Sequence, residues 1–385
     1  MPKEFPLYQD YVNFVKRCLL MCGLYPYQRS IASRYLPFCW ILGYCVDFCA
    51  LINFFRLHIT EISAITACLS VLSGIVNMTI RTSRFVICRE KLIHVADTLE
   101  ALFQETAMQQ PPDSPAFRFM LPFYRLGYYH YVCMVSTAFL YSTKPLIGLT
   151  IRHANRSTPF PAIYPLPIDS TAFFVAHYLL EVSICYSFCI ITSGVDAFFT
   201  LCAFRMSSVF RAMAVELEEL SKRRNGKHTE QVLRNCIDRH VTLIKCREIM
   251  EEIYGPIIFS VMMSNCLGMC ALIFEVTKAN AAIAVEKAVA ITLYLTGKVL
   301  QTFMYTWPGD VVTSESDVFR QEVYCNNWYE DISTKPGKLT LMILMQKSVI
   351  LRACRLMAVT VDLFAKIMNR TISYYFLLVT LDDDK

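Results

Sequence analysis

The chain has 385 residues, of which 55% are hydrophobic, 13% aromatic and only 18% charged. A soluble domain usually carries about 25% charged residues, so this composition argues against a soluble globular protein and favours a membrane protein. The formal net charge of +5 falls mainly in the predicted cytosolic loops, and aromatic residues do not interleave with the basic ones, which argues against nucleic-acid binding.

Seven apolar stretches follow one another along the chain, and each is long enough to cross the ~30 Å hydrocarbon core of a bilayer. They cover residues 36–57, 62–80, 124–149, 171–203, 254–276, 287–305 and 339–381. The sequence therefore predicts an all-α membrane protein, a single domain over residues 1–385 with seven transmembrane helices.

The segments next to these stretches carry weaker patterns. Before the first span, Phe14, Leu19 and Tyr25 are mixed with basic residues, which predicts an amphipathic helix lying against the inner leaflet. The fourth span is predicted to continue as a helix through Leu220. An apolar stripe from Val232 to Ile249 predicts a second helix, and the two together predict a cytosolic helical anchor.

The last third of the chain is less regular. A polar loop is predicted from Trp307 to Lys338, after the sixth span. The seventh stretch is interrupted by Arg352 and Arg355, so we expect a broken span.

The basic residues indicate the orientation in the membrane. If the N-terminus is cytosolic, the loops assigned to the inside hold 23 Lys and Arg, and those assigned to the outside hold 6 when the ends of the adjoining spans are counted with them. An odd number of spans then places the C-terminus outside the cell, which is the reverse of a G-protein-coupled receptor.

Motifs of enzyme chemistry are not found in the sequence. There is no Gly-rich phosphate loop, no His-Glu-x-x-His pair and no Gly-x-Ser-x-Gly turn, so an enzyme is not expected. Cysteines recur at helical spacing within the spans, but no His or carboxylate completes a metal site, and neither a metal nor a cofactor is expected. A transporter is disfavoured because no inverted repeat is visible.

Ionisable and amide side chains inside the spans are candidates for function, because they are costly in a bilayer. They are Asp47, His177, Glu181, Asp196, Asn265, Glu275, Lys298, Lys366, Asn369 and Arg370. Lys366 and Arg370 share a helical face with Tyr374, Leu377 and Leu381. This face is either an ordinary packing surface or a pore wall that closes by dewetting.

A glycosylation sequon stands at Asn155-Arg156-Ser157, in the predicted outer loop between the third and fourth spans. Asn155 is therefore a candidate glycosylation site, although such sequons are frequent by chance.

Two C-terminal motifs resemble those of the insect odorant receptor family. The first is Trp307-Pro308-Gly309-Asp310, and the second is the run from Arg370 through Ser373, Tyr374 and Phe376 to Leu378. A weaker match is Pro159-Phe160-Pro161 with Tyr164-Pro165. The resemblance covers nearly the whole chain, and the ending differs from that of the related gustatory receptors.

This resemblance implies an odorant-gated, non-selective cation channel in the plasma membrane, with sensory neuron dendrites as the expected location. It implies a heterotetramer of this tuning subunit with a co-receptor, in which the last helices surround the pore. Leu377 and Leu381 then correspond to the hydrophobic gate, Thr380 to a polar pore residue, and Tyr374 and Arg370 to the same wall. The alternatives are a gustatory-type channel and, less favoured, a G-protein-coupled receptor.

The resemblance also implies a pocket for a small volatile odorant in the outer half of the bundle, between spans 2, 3, 4 and 6. Residues at the matching depth are candidate odorant contacts, and they are Leu69, Ser73, Met134, Thr137, Ala138, Tyr141, Tyr178, Cys185 and Tyr294.

Overall fold

The computed structural model of the protein describes residues 6–28, 30–60, 62–151, 158–164, 170–222, 226–278, 285–325 and 335–383. Within these ranges the chain is almost entirely helical. The helices are α1 (Pro6–Met21), α2 (Ile31–Leu57), α3 (Ile62–Ile87), α4 (Arg89–Gln109), α5 (Met120–Ile151), α6 (Thr171–Lys222), α7 (Gly226–Lys278), α8 (Val285–Cys325), α9 (Lys335–Leu344) and α10 (Val361–Asp383). Strands β1 (Arg352–Ala353) and β2 (Met357–Ala358) form a short antiparallel hairpin.

The helices α2, α3, α5, α6, α7 and α8 contain the first six predicted apolar stretches, and α10 contains the last part of the seventh. We call the end of this bundle that carries residues 158–164 the outer end, and the end that carries α4 and α9 the inner end. By length and hydropathy alone, three stretches of the described chain are apolar enough to cross a membrane, and they are Ser33–Leu57, Thr171–Leu220 and Thr229–Ile273.

One face of the N-terminal helix α1 is buried against the protein. Tyr8 and Tyr11 are fully buried, and α1 lies so close to α6 that a Cβ at Gly194 would come within 3.1 Å of Cys18 and Leu19. The prediction that this segment lies against the inner leaflet is therefore wrong, because its apolar face is covered by α6 and α5.

The helices α6, α7 and α8 extend well beyond the bilayer-length stretches at the inner end. The loop predicted from Trp307 to Lys338 is wrong in its first half, because α8 continues to Cys325. The reason is an apolar stripe at helical spacing, in which Val312, Phe319 and Val323 are all fully buried. Together with α4 and α9, these extensions form the expected inner helical anchor.

The predicted seventh span, residues 339–381, is three elements and not one helix. The first, α9, is ten residues long and packs on the inner parts of α7 and α8. The hairpin β1–β2 follows, with Arg352 and Arg355 exposed. Its loop has three residues, and the Leu356 N–H donates to Ala353 O at 2.9 Å across a tight turn. The central residues of this turn, Cys354 and Arg355, have positive φ of 51° and 61°. The bilayer-length helix is therefore α10, which begins at Val361.

Candidate functional site

A cavity lies in the outer half of the bundle, between α3, α5, α6, α7 and α8. Its volume is about 240 Å³, and its lining is mostly apolar. Ligand pockets measure roughly 300–1,000 Å³, so this cavity is slightly smaller than that range. Three glycines, Gly74, Gly268 and Gly297, belong to the lining and leave room where larger side chains would fill the space.

Six of the nine predicted contacts line this cavity. They are Met134, Thr137, Ala138 and Tyr141 on α5, Cys185 on α6 and Tyr294 on α8. The other three do not line it. Leu69 is 42% exposed on the outside of the bundle, Ser73 donates a hydrogen bond to Ser70 O at 2.8 Å, and Tyr178 donates to Ser142 O at 2.6 Å.

The errors on α3 have a simple geometric cause. Each residue turns a helix by about 100°, so a placement by depth alone selects the correct turn but the wrong face. The residues of α3 that line the cavity are Ser70, Val71, Gly74, Asn77 and Met78.

Polar groups meet at one side of the cavity. The hydroxyl groups of Ser70 and Tyr294 lie 2.9 Å apart and form a hydrogen bond between α3 and α8. One turn further along α8, the Lys298 Nζ lies 5.3 Å from the centroid of the Tyr294 ring, within cation–π range. These groups give an otherwise apolar cavity a polar end.

Residues 158–164 cover the cavity at the outer end. Pro159, Phe160 and Pro161 belong to its lining. The Phe160 N–H donates to Glu181 Oε2 at 2.7 Å, and the Ile163 N–H donates to Ala50 O at 3.1 Å. This segment is therefore a lid that is attached to both α6 and α2.

A second carboxylate holds the other end of this lid. The Tyr164 hydroxyl donates to Asp47 Oδ1 at 2.7 Å, and the Tyr164 ring stacks on His177 with 4.3 Å between ring centroids. Asp47 and Glu181 are both fully buried, and Tyr164 and His177 are nearly so. Three of the ionisable side chains identified in the spans therefore serve to fix the lid.

A buried ion pair forms the floor beneath the cavity. Arg81 on α3 pairs with Asp196 on α6, and both side chains are fully buried. Tyr305 also donates to Asp196, and Gln301, which lines the cavity, donates to Asp196 Oδ2 at 3.2 Å. Asn77 Oδ1 accepts from Arg81 Nε at 3.1 Å. This network ties α3, α6 and α8 together directly below the space.

Further down α8, the motif Trp307-Pro308-Gly309-Asp310 holds the start of α10. A Cβ at Gly309 would collide with the carbonyl oxygen of Val359, so only glycine allows the chain after the hairpin to approach α8 this closely. Asp310 Oδ1 accepts from the Val361 N–H at 3.4 Å, at the first residue of α10. The motif is therefore a docking point between α8 and α10.

The helix α10 leaves much of its length uncovered in the single chain. Tyr374 is 43% exposed and Leu377 54%, and Arg370 and Thr380 are also exposed. The side chain of Leu381 lies outside the described residues. Of the two basic residues, Lys366 pairs with Asp362 at 2.6 Å, one turn earlier on the same helix.

A family model described as 7tm Odorant receptor matches residues 51–372, which is most of the chain. The chain belongs to this odorant receptor family. It is 21% identical over 317 residues to odorant receptor 82a of Drosophila melanogaster, covering 79% of this chain and 81% of that protein. It is 22% identical over 148 residues to the odorant receptor coreceptor of Anopheles gambiae, but this match covers 38% of the chain and only 30% of the coreceptor.

Among solved structures, this odorant receptor is similar to the insect olfactory receptor OR5 from Machilis hrabei in complex with eugenol. The TM-score is 0.80, and the match covers 97% of this chain and 99% of that chain at 13% sequence identity. The likeness concerns the fold, and it is a likeness to a seven-transmembrane helical receptor.

Several cavity residues of the receptor were not among the predicted contacts. Ser70 and Gln301 give no signal beyond their polarity, and the lid residues stand out only as the weaker family match at Pro159-Phe160-Pro161. Lys298 did give a signal, because an ionisable residue within an apolar span is unusual. The predicted glycosylation site, Asn155, lies outside the described residues.

Proposed function

We propose that this receptor is the tuning subunit of an odorant-gated, non-selective cation channel. The observation that carries this proposal is the mostly apolar cavity of about 240 Å³, found in a chain of the odorant receptor family. Burial of apolar surface contributes about 25 cal/mol per Å², so a small volatile molecule gains its affinity mainly by leaving water. Met134, Thr137, Ala138, Tyr141, Cys185 and Tyr294 are the proposed odorant contacts.

The proposed pore wall is the exposed face of α10. Tyr374, Leu377 and Leu381 follow one another at spacings of three and four residues, which places them on one face of a helix. Several copies of this face around an axis would form an apolar constriction that closes by dewetting, with Thr380 as a polar neighbour. Arg370 lies one turn closer to the inner end, where it would influence which ions pass.

The proposed assembly is a heterotetramer with the family's co-receptor, in the plasma membrane of a sensory dendrite. The N-terminus is proposed to be cytosolic and the C-terminus extracellular, in agreement with the excess of basic residues at the inner end. The segment of similarity to the coreceptors supports a shared mode of assembly.

Recording current from cells that express the chain with and without a co-receptor tests the proposed function. We expect an odorant-evoked cation current that requires both subunits and persists when G-protein turnover is blocked. A response that disappears with G-protein inhibition, or an N-terminal tag that becomes glycosylated, contradicts the channel and its orientation.

A substitution on α10 tests the gate. Leu377→Ser places a hydroxyl group in the proposed apolar constriction, so we expect a raised basal current in the absence of odorant. Ile372→Ser is the matched control, because Ile372 is similarly exposed on α10 (51%) but lies off this face. Equal basal currents in the two variants and the wild type would remove Leu377 from the gate.

A further inference from the structure

The cavity lining carries positive charge without a matching negative charge in its described residues. Among the residues that the structure describes, Lys298 is the one Lys, Arg, Asp or Glu of the lining. No carboxylate in the described part of the chain lies within ion-pair distance of it. A lysine ammonium is a donor of three hydrogen bonds, and desolvation makes its charge costly unless a partner accepts them.

The nearest ionic network does not supply that partner. Asp196 is occupied by Arg81, and it also accepts from Tyr305 and Gln301. Because Arg81 and Asp196 compensate each other's charge, this network offers no free counter-ion to Lys298 among the described side chains.

A second donor group lies beside Lys298. The Tyr294 hydroxyl is one turn away on the same helix face and forms its hydrogen bond with Ser70 at 2.9 Å. Gly268 keeps this place open, since a Cβ there would come within 3.2 Å of the Tyr294 hydroxyl oxygen. An oxygen acceptor between Lys298 and Tyr294 could thus receive hydrogen bonds from both side chains.

The rest of the lining is mostly apolar and suits a hydrocarbon body. Met134, Ala138 and Phe160 belong to it, together with the proline residues of the lid. We propose that the cavity selects odorants that carry a carbonyl or carboxylate oxygen at one end, and that Lys298 binds this oxygen. This inference rests on the proposed function, in which the cavity is the odorant site.

The experiment compares odorants that differ only at one end. Octanoic acid, octanal and 1-octene share a chain length, and benzaldehyde and styrene form an aromatic pair. Currents are recorded from cells that express the chain with a co-receptor. We expect the oxygenated members to activate at concentrations at least tenfold lower than their hydrocarbon counterparts. A lead of octanoic acid over octanal identifies the carboxylate as the preferred group, and the reverse order identifies the carbonyl.

Variants of Lys298 separate binding from a structural role. Lys298→Met removes the donor, and a hydrogen bond to a charged group is worth about 10- to 100-fold in affinity, so the effective concentration of the oxygenated odorants should rise by that factor. The response to the hydrocarbons should stay unchanged, and Lys298→Arg should retain sensitivity to the acid. Tyr294→Phe, which keeps the ring, should produce a smaller shift with the same selectivity.

The control is Thr296→Val, because Thr296 lies on the same helix but is exposed on the outside. A shift of equal size for oxygenated and hydrocarbon odorants in Lys298→Met would overturn the inference, as would activation by hydrocarbons or alcohols alone. Absence of any odorant-evoked current in the wild type, whatever the odorant, would contradict the proposed function instead.

Discussion

The two halves of α6 differ in how they are packed. From residue 191 to residue 210, every side chain of α6 is buried. Toward the outer end, Phe173, Val175 and Leu179 are 40–57% exposed, and Cys185 and Cys189 face the cavity. The inner half is filled on all sides by protein, whereas the outer half borders an open space. A ligand can therefore bind in the outer half without displacing the core that holds the bundle together.

One helix connects the two halves to α10. Along α8, Tyr294, Gly297, Lys298 and Gln301 line the cavity. Further along the helix, Tyr305 donates to the buried Asp196, and Gly309 and Asp310 hold the start of α10. A displacement of α8 by a ligand would thus reach the last helix through direct contacts. The Arg81–Asp196 pair lies at the boundary between the two halves, so substitutions in this pair should disturb the receptor most strongly.

Breaking that pair should have the largest effect. Asp196→Leu leaves Arg81 buried and without its counter-ion, which costs about 3–5 kcal/mol when one partner of a buried pair is removed. We expect a strongly lowered midpoint of thermal unfolding for the detergent-purified receptor, followed by fluorescence-detected size-exclusion chromatography, and little receptor at the cell surface.

The double variant Arg81→Leu with Asp196→Leu is the control for this experiment. Because no uncompensated charge is left, it should regain much of the lost stability. If the double variant is as unstable as the single one, packing around the pair, and not its charge, separates the two halves.

The next largest effect is expected at the docking point of α8 and α10. Gly309→Ala forces the carbonyl of Val359 away, and such overpacking costs about 1–3 kcal/mol. We expect a normal cavity in the outer half but a reduced maximal odorant-evoked current, measured against surface biotinylation.

Gly43→Ala is the matched control for Gly309→Ala. Its new Cβ would lie 3.5 Å from Ile184 Cδ1, an ordinary contact, so the current should not change. Full current from Gly309→Ala would mean that the close approach to Val359 does not transmit the signal.

Sequence patterns predicted the helical class and the broken last span, but they predicted contacts less well. Hydrophobicity identifies apolar stretches such as 36–57, but it does not show which face of α3 turns inward. The prediction of Ser73 as an odorant contact is therefore one face away from Ser70, which lines the cavity. It also missed the extension of α8 to Cys325, since a charged surface concealed the buried stripe of Val312 and Phe319. Long-range partners, such as Tyr164 for Asp47, cannot be inferred from spacing along one chain.

Substitutions that loosen the lid should have a milder effect, and one that is confined to the outer half. Tyr164→Phe removes the hydrogen bond to Asp47, and Glu181→Gln weakens the one from the Phe160 N–H. Each change costs about 1 kcal/mol, or roughly fivefold in the opening equilibrium of the lid. We expect the current to decay several-fold faster when odorant is washed out.

Ser183→Ala is the control for the lid variants, because the Ser183 hydroxyl is exposed and bonds only within its own helix, to Leu179 O. An unchanged decay in both lid variants would show that odorant leaves the cavity by another route.

The smallest effect is expected from pH in the inner half. Burial lowers the pKa of His240 from its usual 6.5, and the nearby charge of Arg320 lowers it further. Below about pH 6.5 the unfolded chain therefore binds a proton at His240 that the folded receptor binds only at lower pH. The contribution of His240 to the free energy of unfolding is fully present above that pH and is lost as the pH falls below it. A single group contributes at most about 1.4 kcal/mol per pH unit, and His240→Leu should flatten the dependence of the unfolding midpoint on pH between pH 7.5 and 5.5.

His94→Gln, at an exposed position of α4, is the control and should leave this pH dependence unchanged. If the slope survives in His240→Leu, another group gives the inner half its sensitivity to acid, and the dense packing around Phe210 and Phe319 does not depend on a neutral imidazole.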